Sequence, residues 1–173
     1  MTTHAAPEDQ TAPADQTVHA EISALVHRLF RALDARNFAA GWMRDFVTDD
    51  VRMETPLGTT EGADVAGAAA EEALLRYDRT QHIASGIVVD VAPDADAGPE
   101  RVTVSWNALM THVHHEATLR ALGAGADPLF VVGGFFEADV RRTPDGWRSS
   151  RVAVRPVWTK GLPPLGVQRD LQA

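Results

Sequence analysis

The chain has 173 residues and no cysteine, and its 24 acidic residues outnumber its 16 lysines and arginines, giving a formal net charge of -8 at pH 7. This length suits one domain with a hydrophobic core, and the lack of cysteine excludes disulfides and thiol chemistry. An acidic chain does not offer the basic face that nucleic acids and anionic membranes require, so we expect neither as a partner.

The two ends of the sequence differ from its middle. Residues 1–16 are polar and rich in Pro and Ala, which predicts a disordered tail, and residues 164–173 predict a flexible one. The domain is therefore expected over residues 17–163. The sequence contains no apolar run of roughly 20 residues and its start lacks the features of a signal peptide, so we expect a cytoplasmic location.

The first half of the chain carries helical patterns. An amphipathic helix over 17–36 is predicted by apolar residues at spacings of three and four, namely Ile22, Leu25, Val26, Leu29, Phe30 and Leu33. The Ala- and Glu-rich residues 63–77 predict another helix. Between them we expect a short helix over 38–46, a strand over 51–56 that ends at a proline, and a brief strand or turn over 59–62.

The second half predicts four long strands, over 83–91, 101–115, 129–142 and 147–158. Turn residues 93–99 separate the first two strands, and Asp145-Gly146 predicts a hairpin between the last two. Residues 116–128 are expected to form a loop with one helical turn over 117–122. Helices followed by long strands predict an α+β fold, with the helices on one face of an antiparallel sheet. Strands of this length twist and coil, and a coiled sheet over a helix leaves a conical pocket.

Asp34 stands on the apolar face of the first predicted helix. It continues the row Ile22, Val26, Phe30 at a spacing of four residues. A carboxylate among apolar groups costs several kcal/mol, in order of magnitude, unless it has a partner or water. Partnered acids beside cavities are typical of acid/base sites. The other interpretation is that Asp34 lies in the last helical turn and reaches solvent.

Alternation along the strand 101–115 separates two faces. The more apolar face should line the pocket and carries Val102, Val104, Trp106, Ala108, Met110, His112 and His114. His112 would then lie near the pocket mouth, where it could hold a substrate oxygen or act as a second acid/base, or it lies at a solvated strand end. His112 and His114 point the same way, but no acid stands at a supporting spacing, so we expect no metal site.

Four aromatic residues are expected to form core and pocket wall and to suit a flat apolar ligand: Trp106, Phe130, Phe136 and Trp147. Arg151 and Arg155 are placed in one row with Trp147. These arginines either approach the substrate or pair on the surface with Glu137 or Asp139. Gly133-Gly134 within a strand predicts a bulge.

The order of several motifs resembles the SnoaL-like branch of the nuclear transport factor 2-like superfamily over about residues 18–160. These motifs are Leu33-Asp34-Ala35-Arg36-Asn37, Phe46-Val47-Thr48-Asp49-Asp50, Gly62, Thr80-Gln81-His82, Gly133 to Val140, Asp145-Gly146-Trp147-Arg148 and Arg151. The resemblance implies a cone-shaped fold, with a strongly curved, mostly antiparallel sheet wrapped over a long N-terminal helix and two further helices. It also implies a homodimer formed through the sheet.

The resemblance further implies a catalytic pair. His82 matches the histidine that lies in the cone of dehydratase-like members, and Asp34 matches the helix acid that orients it. The other interpretation is that His82 satisfies a buried polar contact at a strand start. Phe30, Trp106, Met110, His112 and Phe136 would contact the substrate, and dehydratases of the family can place an arginine such as Arg155 near it.

The sequence also departs from the family pattern. Leu29 and Phe30 stand where many relatives have a tyrosine, Asn37 stands where a second acid is common, and the only tyrosine is Tyr77. These departures argue against a mechanism that holds a water between tyrosines. A hydroxylase-type or epoxide-opening site would need an acid, an amide and an arginine around water, and the strand face of Asn107 argues against it.

We therefore expect a small enzyme of secondary metabolism that uses no cofactor. His82, oriented by Asp34, would move a proton next to a carbonyl of an apolar, oxygenated, cyclic or polyketide-like substrate. Dehydration, isomerisation and cyclisation all begin from that step. The alternative is a ligand-binding or dimeric accessory protein of the same fold without chemistry.

Overall fold

The computed structural model describes residues 12–92 and 101–163, which form three α-helices, a 3-10 turn and one sheet of six strands. The helices are α1 (Ala12–Ala35), α2 (Ala63–Leu75) and α3 (Glu116–Leu122), and the 3-10 turn covers Trp42–Asp45. The strands are β1 (Val47–Thr55), β2 (Gly58–Glu61), β3 (Tyr77–Ala92), β4 (Arg101–His114), β5 (Leu129–Thr143) and β6 (Gly146–Lys160). The predicted turn at 93–99, the C-terminal tail at 164–173 and most of the N-terminal tail lie outside the described residues.

The sheet has the strand order β2-β1-β6-β5-β4-β3. All neighbouring strands are antiparallel except β1 and β6, which run parallel. The sheet curves over α1 without closing into a barrel, and α1 packs mainly against β3. The predicted α+β fold with a curved, mostly antiparallel sheet over the N-terminal helix is confirmed. Within the described residues, no helix is long and apolar enough to pass through a bilayer.

The hydrophobic core lies between α1 and the inner face of the sheet. Ile22, Leu25, Val26 and Phe30 of α1 are buried there. The predicted inner face of β4 is confirmed, because all of its members from Val102 to His114 at alternate positions are buried. Apolar residues spaced three and four apart on the helix and alternate residues on the strand therefore pack together in the same core.

Three elements differ from the sequence prediction. The second helix is only the four-residue turn Trp42–Asp45, because Gly41 takes a left-handed conformation (φ 74°) immediately before it. Tyr77 was expected at the end of a helix but begins β3, where it pairs with His114. This pairing to a distant strand overrides the weak local strand preference of the residues before Ile83. The first helix begins at Ala12, earlier than predicted.

Two β-bulges set which side chains of β6 face inward. The predicted bulge at Gly133-Gly134 is present, since Gly133 pairs with Trp158 and Gly134 with Pro156, which leaves one extra residue on β6. Gly133 is required there because a Cβ atom would lie 2.3 Å from the Trp158 ring.

The second bulge lies at Ser150. Val140 pairs with Ser149 and Asp139 with Arg151, so Ser150 is the extra residue. The bulge reverses the alternation of faces along β6. The predicted row that joined Trp147 to Arg151 and Arg155 is therefore wrong.

Replacement of Ile22 by Ala should lower the free energy of unfolding by about 2–5 kcal/mol, because the side chain is fully buried between α1 and the sheet. The exposed Leu75 is a matched control, and Leu75→Ala should cost less than about 1 kcal/mol. Urea denaturation followed by circular dichroism measures both. Equal losses in the two variants would contradict this account of the core.

Candidate active site

The carboxylate of Asp34 accepts three hydrogen bonds from β3. The Thr80 hydroxyl donates to Oδ1 at 2.9 Å, the backbone N–H of His82 donates to Oδ2 at 2.8 Å, and Nδ1 of the His82 ring lies 2.6 Å from Oδ1. The side chain of Asp34 is 24% exposed and that of His82 is 5% exposed. The structure thus brings the two predicted residues together at the end of α1, and Asp34 has partners rather than free solvent.

These contacts define the protonation of the pair. Burial by itself would raise the pKa of the Asp34 carboxyl, but the hydrogen bonds from the His82 ring, the His82 backbone and Thr80 outweigh it and hold that pKa below its ordinary value. Asp34 is therefore ionised at neutral pH. Because a carboxylate only accepts, Nδ1 of His82 carries the proton, which leaves Nε2 of the neutral ring as the basic nitrogen.

An aromatic cluster of Phe30, Trp106 and Phe136 packs beside His82. The Phe30 ring centroid lies 5.3 Å from that of His82, 6.3 Å from that of Trp106 and 5.6 Å from that of Phe136, and the Trp106 and Phe136 rings stack at 5.0 Å. All three residues were expected to contact substrate. The structure instead places them as packed core, which supports the His82 ring and excludes water from one side of it.

A cavity of about 300 Å³ lies between α2, the β1–β2 hairpin and the inner face of β4, β5 and β6. Its wall is mostly apolar, with Ala66, Ala70, Met110, Phe130 and Val132 among its residues. Of the side chains predicted to bind substrate, Met110 and His112 line it. Neither Asp34 nor His82 belongs to the described lining of the cavity.

His112 connects the cavity to the Asp34–His82 pair. Its ring lines the cavity and meets the His82 ring edge-on, with centroids 5.8 Å apart. Nδ1 donates to the carbonyl oxygen of Phe130 at 3.0 Å, so Nε2 is unprotonated in the neutral ring. Burial and the neighbouring His82 lower the pKa of His112 to about 4. His112 is thus a buried neutral acceptor at pH 7 and not a solvated strand end.

Tyr77 is one of the polar cavity residues that sequence reasoning missed, and Arg76 is another. The ring of Tyr77 lies against that of His112 at 4.5 Å, and its side chain lines the cavity. Burial raises the pKa of its hydroxyl, so the group stays protonated. The guanidinium of Arg36 donates to the backbone carbonyls of Tyr77 and Leu74 at 2.8 and 3.2 Å, which fixes the start of β3. The available signal was the chain's only tyrosine, five residues before His82.

The structure does not bring Arg155 to the cavity. Its guanidinium lies 5.2 Å over the ring of Phe135 on the outer face of the sheet, because the bulge at Ser150 changed the alternation. Arg151 pairs with Glu54 at 2.9 Å and with Glu137 at 3.3 Å. The surface alternative for Arg151 is thus correct, and the prediction of Arg155 as a substrate ligand is not supported.

His114, the last residue of β4, and His115, which follows it, have structural contacts. Nε2 of His114 lies 2.9 Å from the carbonyl oxygen of Leu162, and Nε2 of His115 lies 3.2 Å from that of Leu75. In the part of the chain that the structure describes, no group of three or more His, Asp or Glu side chains is arranged to hold a metal ion. Asn107 lies on the outer face of the sheet beside Gly86, away from Asp34.

Comparison with known proteins identifies the family. Residues 16–153 match the SnoaL-like domain family, and the chain belongs to that family. A search of the curated proteins found no match. The resemblance of the sequence to this family is thereby confirmed.

Solved structures share the fold at low sequence identity. The Kfla4162 protein from Kribbella flavida superposes with a TM-score of 0.71 at 23% identity, over 84% of this chain and 95% of that one. A scytalone dehydratase candidate from Novosphingobium aromaticivorans gives 0.68 at 16% identity, over 90% and 97%. The hexachlorocyclohexane dehydrochlorinase LinA-type3 from Novosphingobium barchaimii gives 0.66 at 15%, over 90% and 94%. At these identities the likeness concerns the fold alone.

Replacement of Asp34 by Asn should destabilise the protein at pH 7 by about 1–3 kcal/mol, because hydrogen bonds to a charged acceptor are lost. The folded pKa of Asp34 is lowered, so its contribution is complete above pH 3.8, the ordinary value, and disappears as pH falls through the folded pKa. The difference between native protein and variant should shrink below pH 3.8. Urea denaturation at a series of pH values, with the exposed Asp45→Asn as control, measures this, and a difference independent of pH would contradict it.

Proposed function

We propose that this protein is a small acid/base enzyme, independent of a cofactor, that acts on an apolar oxygenated substrate held in the cavity. The observation that carries the proposal is the Asp34–His82 contact of 2.6 Å, which orients an imidazole that is only 5% exposed. A carboxylate that fixes the tautomer of a histidine and stabilises its charged form is an arrangement suited to general-base catalysis.

The proposed step is proton abstraction from a carbon next to a carbonyl. Nε2 of His82 takes the proton, the C–H electron pair moves into the enolate, and Asp34 stabilises the imidazolium that forms. In a dehydration the enolate re-forms the carbonyl while the β C–O bond breaks, and the proton from His82 leaves with the hydroxide as water. Return of the proton to another carbon gives isomerisation. In ring closure the enolate carbon attacks an internal carbonyl, the C=O π electrons move to its oxygen, and the alkoxide that forms takes the proton from His82.

The route from the cavity to His82 passes His112. A substrate at this end of the cavity would contact His112 and Met110, and the proposed proton transfer requires these side chains to move until the reacting carbon reaches His82. The unprotonated Nε2 of His112 is suited to accept a hydrogen bond from a substrate hydroxyl. In this proposal His112 holds a substrate oxygen and His82 transfers the proton.

The substrate class follows from the lining. Apolar side chains with a few threonine hydroxyls, such as Thr55 and Thr60, favour a compact cyclic or polyketide-like molecule with few oxygens. Two of the similar structures carry the names of a dehydratase and a dehydrochlorinase, which favours elimination among the three reactions. A role in secondary metabolism and a cytoplasmic location belong to this proposal.

The replacements His82→Ala and Asp34→Asn should each reduce turnover by about 100- to 10,000-fold, because the first removes the general base and the second removes the carboxylate that orients it and stabilises its charged form. The assay uses a panel of cyclic β-hydroxy ketones and follows the absorbance of the enone or phenol that loss of water produces. The exposed His27→Ala is the matched control and should retain full activity. Full turnover in both site variants would end the acid/base proposal.

One observation favours a second candidate function, a ligand-binding protein without chemistry. His82 is absent from the described cavity lining, so a ligand can be enclosed without touching the Asp34–His82 pair. In that case a ketone that binds would be recovered unchanged from the native protein, and its affinity would be the same in His82→Ala. The two functions thus differ in turnover and not in binding.

We also propose that the outer face of the sheet pairs with a second copy of the chain. Strand register aligns Ile83, Leu109, Gly133 and Trp158 in one row across β3, β4, β5 and β6. Ile83, Leu109 and Trp158 are 50%, 38% and 50% exposed, so the row is a solvent-facing apolar surface on a sheet. Surfaces of this kind are typical of interfaces between subunits.

The replacement Leu109→Asp should convert the homodimer to a monomer, because it places a charge at the centre of this row on both copies. Light scattering coupled to size-exclusion chromatography measures the mass in solution. Val65→Asp is the control, since Val65 is also an exposed apolar residue, at 56%, but lies on α2. A native protein that is monomeric, or a variant that stays dimeric, would refute the interface.

A further inference from the structure

The cavity wall contains one formally charged side chain among the described residues that line it, and that side chain is Arg76. Arg76 is the C-cap of α2, and its Nη2 pairs with Oε1 of Glu72 at 2.7 Å. The Glu72 side chain is 73% exposed, so this is a surface pair of the kind that contributes little. A guanidinium has five N–H donors, and a single carboxylate contact leaves most of them available.

The next residue adds a second donor at the same place. The hydroxyl of Tyr77 makes no hydrogen bond to the residues that the structure describes, although the residue is 7% exposed and lines the cavity. Burial keeps the hydroxyl protonated, and the charge of Arg76 acts on it. The hydroxyl is not among the fully enclosed polar atoms that lack a partner, so it keeps accessible surface and can donate a hydrogen bond to an acceptor atom of a ligand in the cavity.

We propose that Arg76 and Tyr77 bind a carboxylate and that the molecule held in the cavity is therefore an apolar acid. The carboxylate lies at the C-terminal end of α2, and the hydrocarbon part extends between α2 and the inner face of β4 and β5 toward His112. As a statement about the substrate, this rests on the proposed enzymatic function, but carboxylate binding itself does not require turnover.

The chemistry favours a carboxylate over other oxygen groups. A planar guanidinium matches the two oxygens of a carboxylate, and one phenol hydroxyl can donate a third hydrogen bond. A neutral carbonyl would not offset the positive charge of Arg76, whereas a carboxylate would. The bound carboxylate would share Arg76 with Glu72, which moves aside at little cost because it is exposed.

The test compares 2-naphthoate with its neutral isostere 2-naphthamide by isothermal titration calorimetry on the whole protein. The native protein should bind the acid about tenfold more tightly than the amide. Arg76→Met should abolish that preference and leave amide binding unchanged, and Tyr77→Phe should weaken the acid several-fold. Arg76→Lys should retain part of the preference, and thermal denaturation verifies that each variant is folded.

Arg79→Met is the matched control. Arg79 lies three residues after Arg76, its side chain is 75% exposed, and its replacement removes the same positive charge. It should leave the preference for the acid intact. Equal affinities for acid and amide in the native protein, no binding of the acid, or equal losses in Arg76→Met and Arg79→Met would overturn the proposal. His82→Ala should keep the preference whether or not turnover depends on His82, so the failure of one proposal is distinguishable from that of the other.

Discussion

The contact between the end of α1 and the start of β3 determines both the docking of the helix and the candidate site. The apolar face of α1 can slide along a curved sheet, since hydrophobic packing has little direction. Asp34 removes that freedom by accepting bonds from the backbone and ring of His82 and from Thr80, and Arg36 adds bonds to the carbonyls of Leu74 and Tyr77. One helical turn thereby fixes the positions of His82 and Tyr77.

The interior has two regions, one packed with the aromatic cluster beside His82 and one that contains the cavity. The aromatic cluster packs beside His82. These nonpolar neighbours lower the local dielectric constant, which strengthens the electrostatic interaction between His82 and Asp34. The cavity occupies the space under α2, and His112 stands between the two regions. Because charge on His82 disfavours charge on His112, a proton gained by the first ring leaves the second neutral. The two histidines are therefore suited to different tasks: proton transfer and acceptance of a hydrogen bond.

Periodic patterns predicted those parts of the structure in which local sequence and burial agree. The spacing from Ile22 to Leu33 defines α1, and alternation along β4 identifies its buried face through His114. The Asp34–His82 pair was predicted from the resemblance to the family together with the position of Asp34 on the apolar face of α1. Tyr77 was assigned to the end of a helix because its strand conformation depends on pairing with His114. Arg155 was assigned to the wrong face of the sheet because no residue pattern in β6 marks Ser150 as the extra residue of a bulge.

The parallel pairing of β1 with β6 has a kinetic consequence. It joins segments about a hundred residues apart along the chain, whereas the hairpin of β5 and β6 forms between neighbours. Closing so long a loop loses chain entropy before any contact rewards it. We therefore expect the β1–β2 hairpin and α2, which form one wall of the cavity, to pack onto the meander of β3 to β6 after its hairpins have formed. During refolding the inner surface of that meander would be exposed to solvent until this packing is complete, and self-association would compete with folding in that interval.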